Sequence, residues 1–419
     1  MGPQGRTLSL KPDVALVNAG ELVTMGGTRD QLGLIHDGAF IVKEGVISWV
    51  GTTKEFRRKI FSKPRVTIDA HGALVTPGFV DPHTHLLFAG SREDELERKI
   101  AGESYVSILR GGGGIRRTVR ETRESATGTI VRESSVRIRE LMRNGVTTAE
   151  VKTGYGQSLE SELKLLRALE RLAATEKVEL VPTFLGLHAR PREFEANADY
   201  LRYAVDVMLP AVSKLRVKPA FSDCFCEDGV FSAEECSKYL RASGELGFLL
   251  KIHADEFADS GGAALAAKLG CVSADHLGHS DTGGVAQMAG KGVVAVLLPG
   301  TSLFSGIRYA DARAIRDAGC RIALGTDLSP NSWIESPQLV MGLACAGMKM
   351  TPSDALLGFT ANAALAIGRH DIGRLVPGCK ADFAVYRLPN HRFLPYRIGG
   401  SYVERVFKEG VEVYSSLGG

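Results

Sequence analysis

Short apolar runs alternate with helical stretches through the middle of the chain. Apolar runs of this length that end at turns and are separated by helices are typical of buried strands in a parallel sheet. Helical patterns at 159–174 and 262–269 are two of the stretches between them. The predicted strands are 78–81, 146–151, 179–186, 221–226, 249–252, 272–275, 293–298 and 321–325.

Eight strands with helical crossovers, spread over residues 77–372, indicate an α/β fold of the (β/α)8 TIM-like barrel type. A doubly wound open sheet is the alternative, but no Gly-x-Gly-x-x-Gly motif opens the first helix. The four glycines at 111–114 follow no strand and precede no Lys-Ser or Lys-Thr pair. This favours a loop or hinge over a phosphate loop.

The two ends of the chain carry short β-rich runs without such helices. They lie at 14–18, 39–42, 45–51, 381–386 and 403–414. Neither end is large enough to form a core alone, so we expect both to combine in one small β-sandwich. The predicted domains are a composite sandwich from 1–76 and 373–419 and a catalytic barrel over 77–372.

The composition excludes several classes of protein. The 419 residues are 44% hydrophobic and 24% charged with a formal net charge of +3, so no nucleic-acid surface is expected. The most basic stretch, 116–143, alternates arginine with glutamate and predicts a solvated helical face. Seven scattered cysteines without a Cys-x-x-Cys pair indicate neither disulfides nor a zinc ribbon. With no leader pattern and no apolar run of membrane length, we expect a reduced, cytoplasmic protein without a membrane partner.

Polar side chains recur at the carboxyl ends of the predicted strands. In a (β/α)8 barrel that end hosts the active site, and histidines that end four different strands are hard to explain as packing. The residues at these ends are His83, His85, Lys152, Tyr155, His188, His253, Glu256, Asp275, His276 and Asp327.

A single metal ion suits this set of residues. Side chains at i and i+2 of a strand share a face, so His83 and His85 project together as natural ligands of a divalent metal. His253 supplies a third nitrogen and Asp327 supplies an oxygen. A metal held there lowers the pKa of a bound water toward about 7, and Asp327 can accept the proton of that water.

These residues and their surroundings resemble the amidohydrolase superfamily and, within it, the imidazolone-opening hydrolases of histidine degradation. The resemblance runs from Val14 to Tyr414. The His-x-His motif indicates only the superfamily, whereas longer segments indicate which family within it the chain resembles. Those segments are 77–92, 152–156, 183–188, 253–257, 273–276 and 297–301.

The resemblance implies one zinc or iron ion per chain and hydrolysis of 4-imidazolone-5-propanoate to N-formimino-L-glutamate. The implied metal ligands agree with the set above and are His83, His85, His253 and Asp327. The resemblance also favours a homodimer, and its implied partner is a small substrate that carries a carboxylate.

The resemblance also implies which side chains handle the substrate. Implied pocket contacts are Arg92, Tyr105, Tyr155 and His188, with Glu256 and His276 beside the scissile carbonyl. Arg92 would pair with the propanoate, a task suited to a guanidinium fork. The catalytic residues would be Asp327, Glu256 and His276.

One segment departs from the family pattern, in which the ligand aspartate is followed by one residue and then Asn-Pro-Gly-Ser. This chain reads Asp327-Leu-Ser329-Pro-Asn331-Ser332. Ser329 and Asn331 stand where an amide and a glycine normally touch the substrate. We therefore expect altered pocket contacts from Ser329 and Asn331, with Ser332 kept as a substrate contact and the metal chemistry unchanged.

Three alternatives remain open at the level of sequence. Lys152 could be a carbamylated ligand of a second metal, although a structural lysine is the better interpretation. A deaminase of the same superfamily would share the His-x-x-Glu motif at His253 and the neighbouring His276. A non-enzymatic scaffold would be expected to have lost its metal ligands, and all four are present.

Overall fold

The computed structural model describes residues 13–27, 32–59, 63–103, 107 and 111–416. Within these residues sixteen strands form two sheets. The strands are β1 Val14–Val23, β2 Leu34–Lys43, β3 Val46–Thr52, β4 Val66–Asp69, β5 Leu74–Pro77, β6 Phe79–Asp81, β7 Val146–Lys152, β8 Glu179–Leu187, β9 Phe221–Cys226, β10 Leu249–Ala254, β11 Ser273–His276, β12 Val294–Leu297, β13 Ile322–Leu324, β14 Phe383–Tyr386, β15 Val403–Lys408 and β16 Val411–Ser415.

Strands β6 to β13 form one sheet in chain order, and each strand runs parallel to the next. All eight predicted barrel strands are confirmed. β7 shows why their sequences lack alternation, since all seven of its residues are buried between the barrel interior and the helical layer.

Helices connect these strands and cover the sheet. Several begin at side chains that cap free backbone N–H groups; Ser158 accepts from Ser161, and Ser232 forms a capping box with Glu235. The α-helices of the barrel are Asp94–Ile100, Ile115–Glu124, Thr127–Arg143, Leu159–Thr175, Asn197–Tyr203, Leu209–Ser213, Ala233–Glu245, Gly262–Leu269, Thr282–Lys291, Pro299–Ser305, Ala312–Asp317, Pro337–Met348, Pro352–Gly358 and Ala361–Ala366. A π-helical turn spans Ala204–Met208, and two short helices, Thr53–Arg58 and Phe393–Tyr396, lie nearer the ends of the chain.

The barrel closes just beyond the carboxyl ends of β6 and β13. The N–H of Asp327 donates to the carbonyl of His83 at 3.1 Å, and the N–H of His85 donates to the carbonyl of Leu328 at 2.9 Å. The buried carboxylate of Asp81 accepts from the N–H and the hydroxyl of Thr326 at 3.2 and 2.6 Å. The first and last strands are therefore locked together at the end that carries the predicted ligands.

The second sheet is mixed and takes strands from both ends of the chain, in the order β16-β15-β14-β5-β1-β2-β3. β1 pairs with β2 along one edge and with β4 and then β5 along the other. In its core the ring of Phe383 stacks on Phe407 at 4.3 Å and meets the edge of Phe40 at 5.0 Å. The composite origin of this unit is confirmed, whereas the domain boundaries stay a prediction.

The terminal sheet is fastened to the end of the barrel opposite the predicted site. The ammonium of Lys408 in β15 donates to Asp382 at 2.7 Å and to Glu179, the first residue of β8, at 2.9 Å. In the part of the chain that the structure describes, no helix is long and apolar enough to span a membrane.

The arginine-rich stretch 116–143 is more buried than its sequence predicts. It forms two helices, and Arg137 within the second of them is only 2% exposed. The prediction of a solvated face is wrong at this residue, because its guanidinium turns inward to bond the carbonyls of Leu86 and Phe88. A local pattern of alternating charges does not register such a long-range partner.

The aromatic core of the terminal sheet yields a stability prediction. Phe383→Ala should lower the free energy of unfolding by about 3–5 kcal/mol, because it removes a fully buried ring from contact with two others. The control Val411→Ala, at a side chain that is 66% exposed, should change it by less than about 0.5 kcal/mol. Urea unfolding followed by circular dichroism measures both. Equal effects would show that the Phe383 ring does not support this sheet.

Candidate metal centre

Three imidazoles from two strands meet at the mouth of the barrel. His83 and His85 follow β6, and His253 is the second-last residue of β10. Nε2 of His85 lies 3.2 Å from Nε2 of His83 and 3.2 Å from Nε2 of His253. Oδ1 of Asp327 lies 3.5 Å from Nε2 of His83 and 3.6 Å from Nε2 of His85. The predicted ligands are thus brought together from positions far apart in the chain.

The opposite edges of two of these rings face buried carboxylates. Nδ1 of His83 donates to Asp275 at 2.6 Å, and Nδ1 of His253 lies 3.1 Å from Asp223. A proton on Nδ1 leaves the lone pair on Nε2, where it points at the other two rings. Burial also lowers the pKa of His83, His85 and His253 well below the usual value, so all three imidazoles are neutral and able to bind a metal.

This donor set fits a metal ion. Nitrogen lone pairs that face one another at 3.2 Å repel unless a cation lies between them. A tetrahedral ion with metal–nitrogen bonds of about 2.0–2.1 Å separates its ligand atoms by about 3.3–3.4 Å, close to the spacing seen here. Three neutral imidazoles and one carboxylate are a composition that zinc and iron both accept.

Asp327 is held so that one oxygen faces the imidazoles. Its backbone adopts a φ of 50°, a left-handed conformation that is uncommon outside glycine and often marks a functional site. The hydroxyl of Thr301, which follows β12, donates to its Oδ2 and leaves Oδ1 toward the histidines. Burial raises the pKa of the Asp327 carboxyl to about 7, and a bound cation would lower it.

Beneath the histidines lies a buried group of ion pairs. The ammonium of Lys152 donates to Glu150 at 2.9 Å and to Asp223 at 2.8 Å, and all three side chains are fully buried. Burial opposes the charge on Lys152, but Asp223 and Glu150 outweigh it and raise the lysine pKa. Lys251 donates to the carbonyl of Pro82 at 2.8 Å. Lys152 is therefore engaged as a cation, which supports its interpretation as a structural lysine.

Glu256 and His276 form a second pair beside the metal site. Oε2 of Glu256 lies 3.6 Å from Nδ1 of His276, whose ring centre is 5.3 Å from that of His253. Burial raises the pKa of Glu256 well above its usual value and lowers the pKa of His276 to about 4. Burial therefore favours the protonated form of the Glu256 carboxyl and the neutral form of the His276 imidazole. Glu227 holds this loop by accepting from the N–H groups of Phe257 and Ala258 at 2.9 and 3.0 Å.

Aromatic side chains line the other side of the imidazoles. The ring of His188 stacks on His85 with centres 5.1 Å apart, and Tyr155 lies 5.2 Å from His188. The loop that carries Tyr155 is fixed by buried Glu162, whose carboxylate accepts from Gly154, Gly156 and Gln157 at 3.1, 2.8 and 2.8 Å.

The remaining predicted pocket residues lie on two loops. The side chain of Arg92 is 7% exposed, and its Nε lies 3.8 Å from Glu95. Burial lowers the pKa of His188 to about 4, and the charge of Arg92 contributes to this shift. The Ser329 N–H donates to the Ser332 carbonyl at 3.1 Å, and Asn331 donates to the Ser305 hydroxyl at 3.2 Å. Tyr105 lies outside the described residues.

Some side chains that shape the site escaped the sequence analysis. Asp223 and Glu150 lie inside β9 and β7, where neither ends a strand, and Thr301 follows β12 in a helix. For Asp223 and Glu150 the sequence signal was an acidic residue within an otherwise apolar strand. For Thr301 it was the segment 297–301, which belongs to the family resemblance.

Comparisons with known proteins agree with this geometry. The sequence model of the Amidohydrolase family matches residues 95–414. The overall fold resembles the zinc-bound crystal structure of an adenosine deaminase from Xanthomonas campestris, with a TM-score of 0.70, 18% identity, and coverage of 96% of this chain and 93% of that one. The fold and the site together define a metal-dependent hydrolase, and the chain belongs to the amidohydrolase family.

Closer relatives narrow the family further. An imidazolonepropionase from Parabacteroides distasonis is 43% identical over 411 residues, which cover 96% of this chain and 98% of the relative. One from a Geobacillus species is 43% identical over 413 residues, covering 95% and 97% of the two chains. Within the amidohydrolases, this chain therefore belongs with the imidazolonepropionases.

Metal content tests the assignment of the ligands. The purified protein should contain about one equivalent of metal, and His253→Ala should lose most of it because one of three nitrogen donors is removed. Elemental analysis by mass spectrometry measures the content. His71→Ala, at an exposed histidine of the terminal sheet, should retain the full equivalent. Two tightly bound equivalents would contradict a single site and revive Lys152 as a ligand.

Proton competition tests the role of Asp327. Its carboxyl must lose a proton to bind metal, and its pKa is raised to about 7, so affinity should fall about tenfold per pH unit below that value. The three imidazoles do not compete, because their pKa values lie lower. Titration against a chromophoric chelator should show this slope in the wild type and lose it in Asp327→Asn. A slope that persists would assign the proton to another group, such as Asp81.

Proposed function

We propose that the protein hydrolyses 4-imidazolone-5-propanoate to N-formimino-L-glutamate through residues at this metal centre. The observation that carries the proposal is the convergence of three neutral imidazoles and Asp327 beside Glu256, His276 and a buried arginine. The names of the relatives point to the same reaction. A resident ion, which we propose to be zinc or iron, supplies Lewis acidity for the carbonyl and acidifies the attacking water.

The balance of the reaction fixes what the side chains must do. The water oxygen bonds to the ring carbonyl carbon, and the carbon–nitrogen bond of the cyclic amide breaks. One proton leaves the water, and one arrives at the departing ring nitrogen. That nitrogen stays in the product as part of the formimino group, so no ammonia is released.

Asp327 is placed to manage the proton of the water. Its Oδ1 faces the imidazoles, while Thr301 occupies its Oδ2. The carboxylate accepts the proton and passes it to the ring nitrogen. Glu256, whose protonated form is favoured because burial raises its pKa, hydrogen-bonds the ring and assists that transfer. The neutral imidazole of His276 donates a hydrogen bond to the carbonyl oxygen as negative charge develops there.

Arg92 supplies the recognition of the propanoate. Its guanidinium can form two parallel bonds to a carboxylate, which a point charge cannot. Tyr155 and His188 flank the ring of the substrate, while Ser329, Asn331 and Ser332 contribute polar groups from the opposite loop.

We also propose a homodimer in a reducing cytoplasm, in keeping with free cysteines at all seven positions.

The product distinguishes this reaction from deamination. Metal-loaded protein should consume freshly generated imidazolone-propanoate, yield formiminoglutamate and release no ammonia, as measured by ultraviolet absorbance, mass spectrometry and an ammonia assay. Asp327→Asn should lower kcat by at least about 100-fold, because an amide cannot accept the proton. Asp311→Asn, at an exposed helix cap, should leave kcat unchanged.

Release of ammonia from a panel of nucleobases, together with inertness toward imidazolone-propanoate, would contradict the proposed function. It would favour the deaminase alternative, which uses the same barrel and the same ligands.

A further inference from the structure

The chain segment between a metal ligand and the predicted substrate arginine has no regular structure. It runs from His85 to Arg92 and includes no helix or strand residues. Residues 85–89 are nevertheless buried, so their backbone polar groups need partners from elsewhere. Two helices supply them: Thr122 accepts from the N–H of Ala89 at 3.2 Å, and Glu133 accepts from the N–H of Gly90 at 3.3 Å.

Arg137 is the principal partner of this segment. One nitrogen of its guanidinium donates to the carbonyls of Leu86 and Phe88 at 2.7 and 2.9 Å, and the hydroxyl of Ser134 donates to Leu86 at 3.1 Å. Burial lowers the pKa of Arg137 to about 10, so it remains a cation at neutral pH. A buried cation that bonds two backbone carbonyls fixes the position of this segment.

The same guanidinium contacts two aromatic rings that also contact each other. Its central carbon is 3.5 Å from the centre of the Phe88 ring and 5.1 Å from the centre of the Trp333 ring. Phe88 also meets Trp333 edge to face at 5.2 Å and Tyr155 edge to face at 6.3 Å. We call Arg137, Phe88 and Trp333 the arginine stack.

The arginine stack joins two loops that both carry metal ligands. Phe88 lies between His85 and Arg92 in the chain. Trp333 directly follows the segment 327–332, which begins at Asp327 and departs from the family pattern. Trp333 is 44% exposed, although its indole N–H donates to Glu335 at 3.1 Å. The Arg92 segment is therefore in contact, through Phe88, with a partly exposed ring of the loop that carries Asp327.

We propose that the arginine stack positions Arg92 for the substrate carboxylate, and that Trp333 is a specificity-determining residue of this chain. The inference rests on the proposed function, because it takes Arg92 to bind the propanoate. Arg137 and Trp333 act through Phe88 and touch no reacting atom. Their loss should weaken recognition of the carboxylate and leave the metal and the chemical step intact.

Paired substrates separate this role from a general structural one. Trp333→Leu should lower kcat/KM for imidazolone-propanoate about fivefold or more through KM, with kcat and metal content unchanged. The same variant should leave kcat/KM for the uncharged propanamide analogue within about twofold of wild type, because Arg92 has no carboxylate to bind there. Trp49→Leu, at the other tryptophan, is the matched control and should affect neither substrate.

A double-mutant cycle tests the coupling to Arg92. Arg92→Lys should raise KM for the propanoate. In the double variant with Trp333→Leu, the total fold-increase in KM should be smaller than the product of the two single fold-increases. Arg137→Lys should behave like Trp333→Leu, with Arg139→Lys on the exposed face of the same helix as its control. If Arg137→Lys does not fold, Trp333→Leu, at a surface side chain, still decides the question.

The possible failures are distinguishable. If Arg92→Lys leaves KM unchanged, the carboxylate contact of the proposed function is wrong, and the inference falls with it. If Arg92→Lys raises KM while Trp333→Leu impairs both substrates equally, or the two effects multiply fully, the positioning role is wrong and the proposed function stands.

Discussion

Two buried lysines held among carboxylates are the constraint on which the site depends. Lys152 is paired with Glu150 and Asp223, and Lys251 lies 3.8 Å from Asp275, all inside the barrel. Ions this deep are tolerated only when each has a partner, so removing one would leave another uncompensated. Asp223 and Asp275 also face Nδ1 of His253 and His83, two of the predicted metal ligands. The ion pairs therefore orient the ligands before any metal arrives.

Closure of the barrel brings the predicted ligands together. Its first and last strands are joined by the backbone bonds between His83 and Asp327 and between His85 and Leu328, so closure of the fold also assembles the ligands. His276 and Asp327 adopt left-handed conformations at strand ends, with φ of 77° and 50°. Such strain persists only where surrounding contacts fix the backbone, and here it aims both side chains at the same space.

The strands and the convergence of the four candidate ligands could be predicted because their signals are local. Apolar runs mark β6 to β13, and a histidine or aspartate at a strand end needs no knowledge of its neighbours. Arg137 could not be assigned, since its alternating charged surroundings resemble a solvated helix and its partners lie about fifty positions away. Asp223 was missed for a related reason, because only the closed barrel places it beside Lys152 and His253.

We infer that three imidazoles and one carboxylate hold one cation, and that the ion pairs beneath them hold none. X-ray absorption spectroscopy of the metal-loaded protein tests this most directly. One ion held in this way should give a first shell of nitrogen and oxygen at about 2.0–2.2 Å, with the multiple-scattering signature of three imidazoles. Scattering from a second metal at about 3.5–4 Å would contradict it, since Lys152 would then have to leave its ion pairs to serve as a ligand.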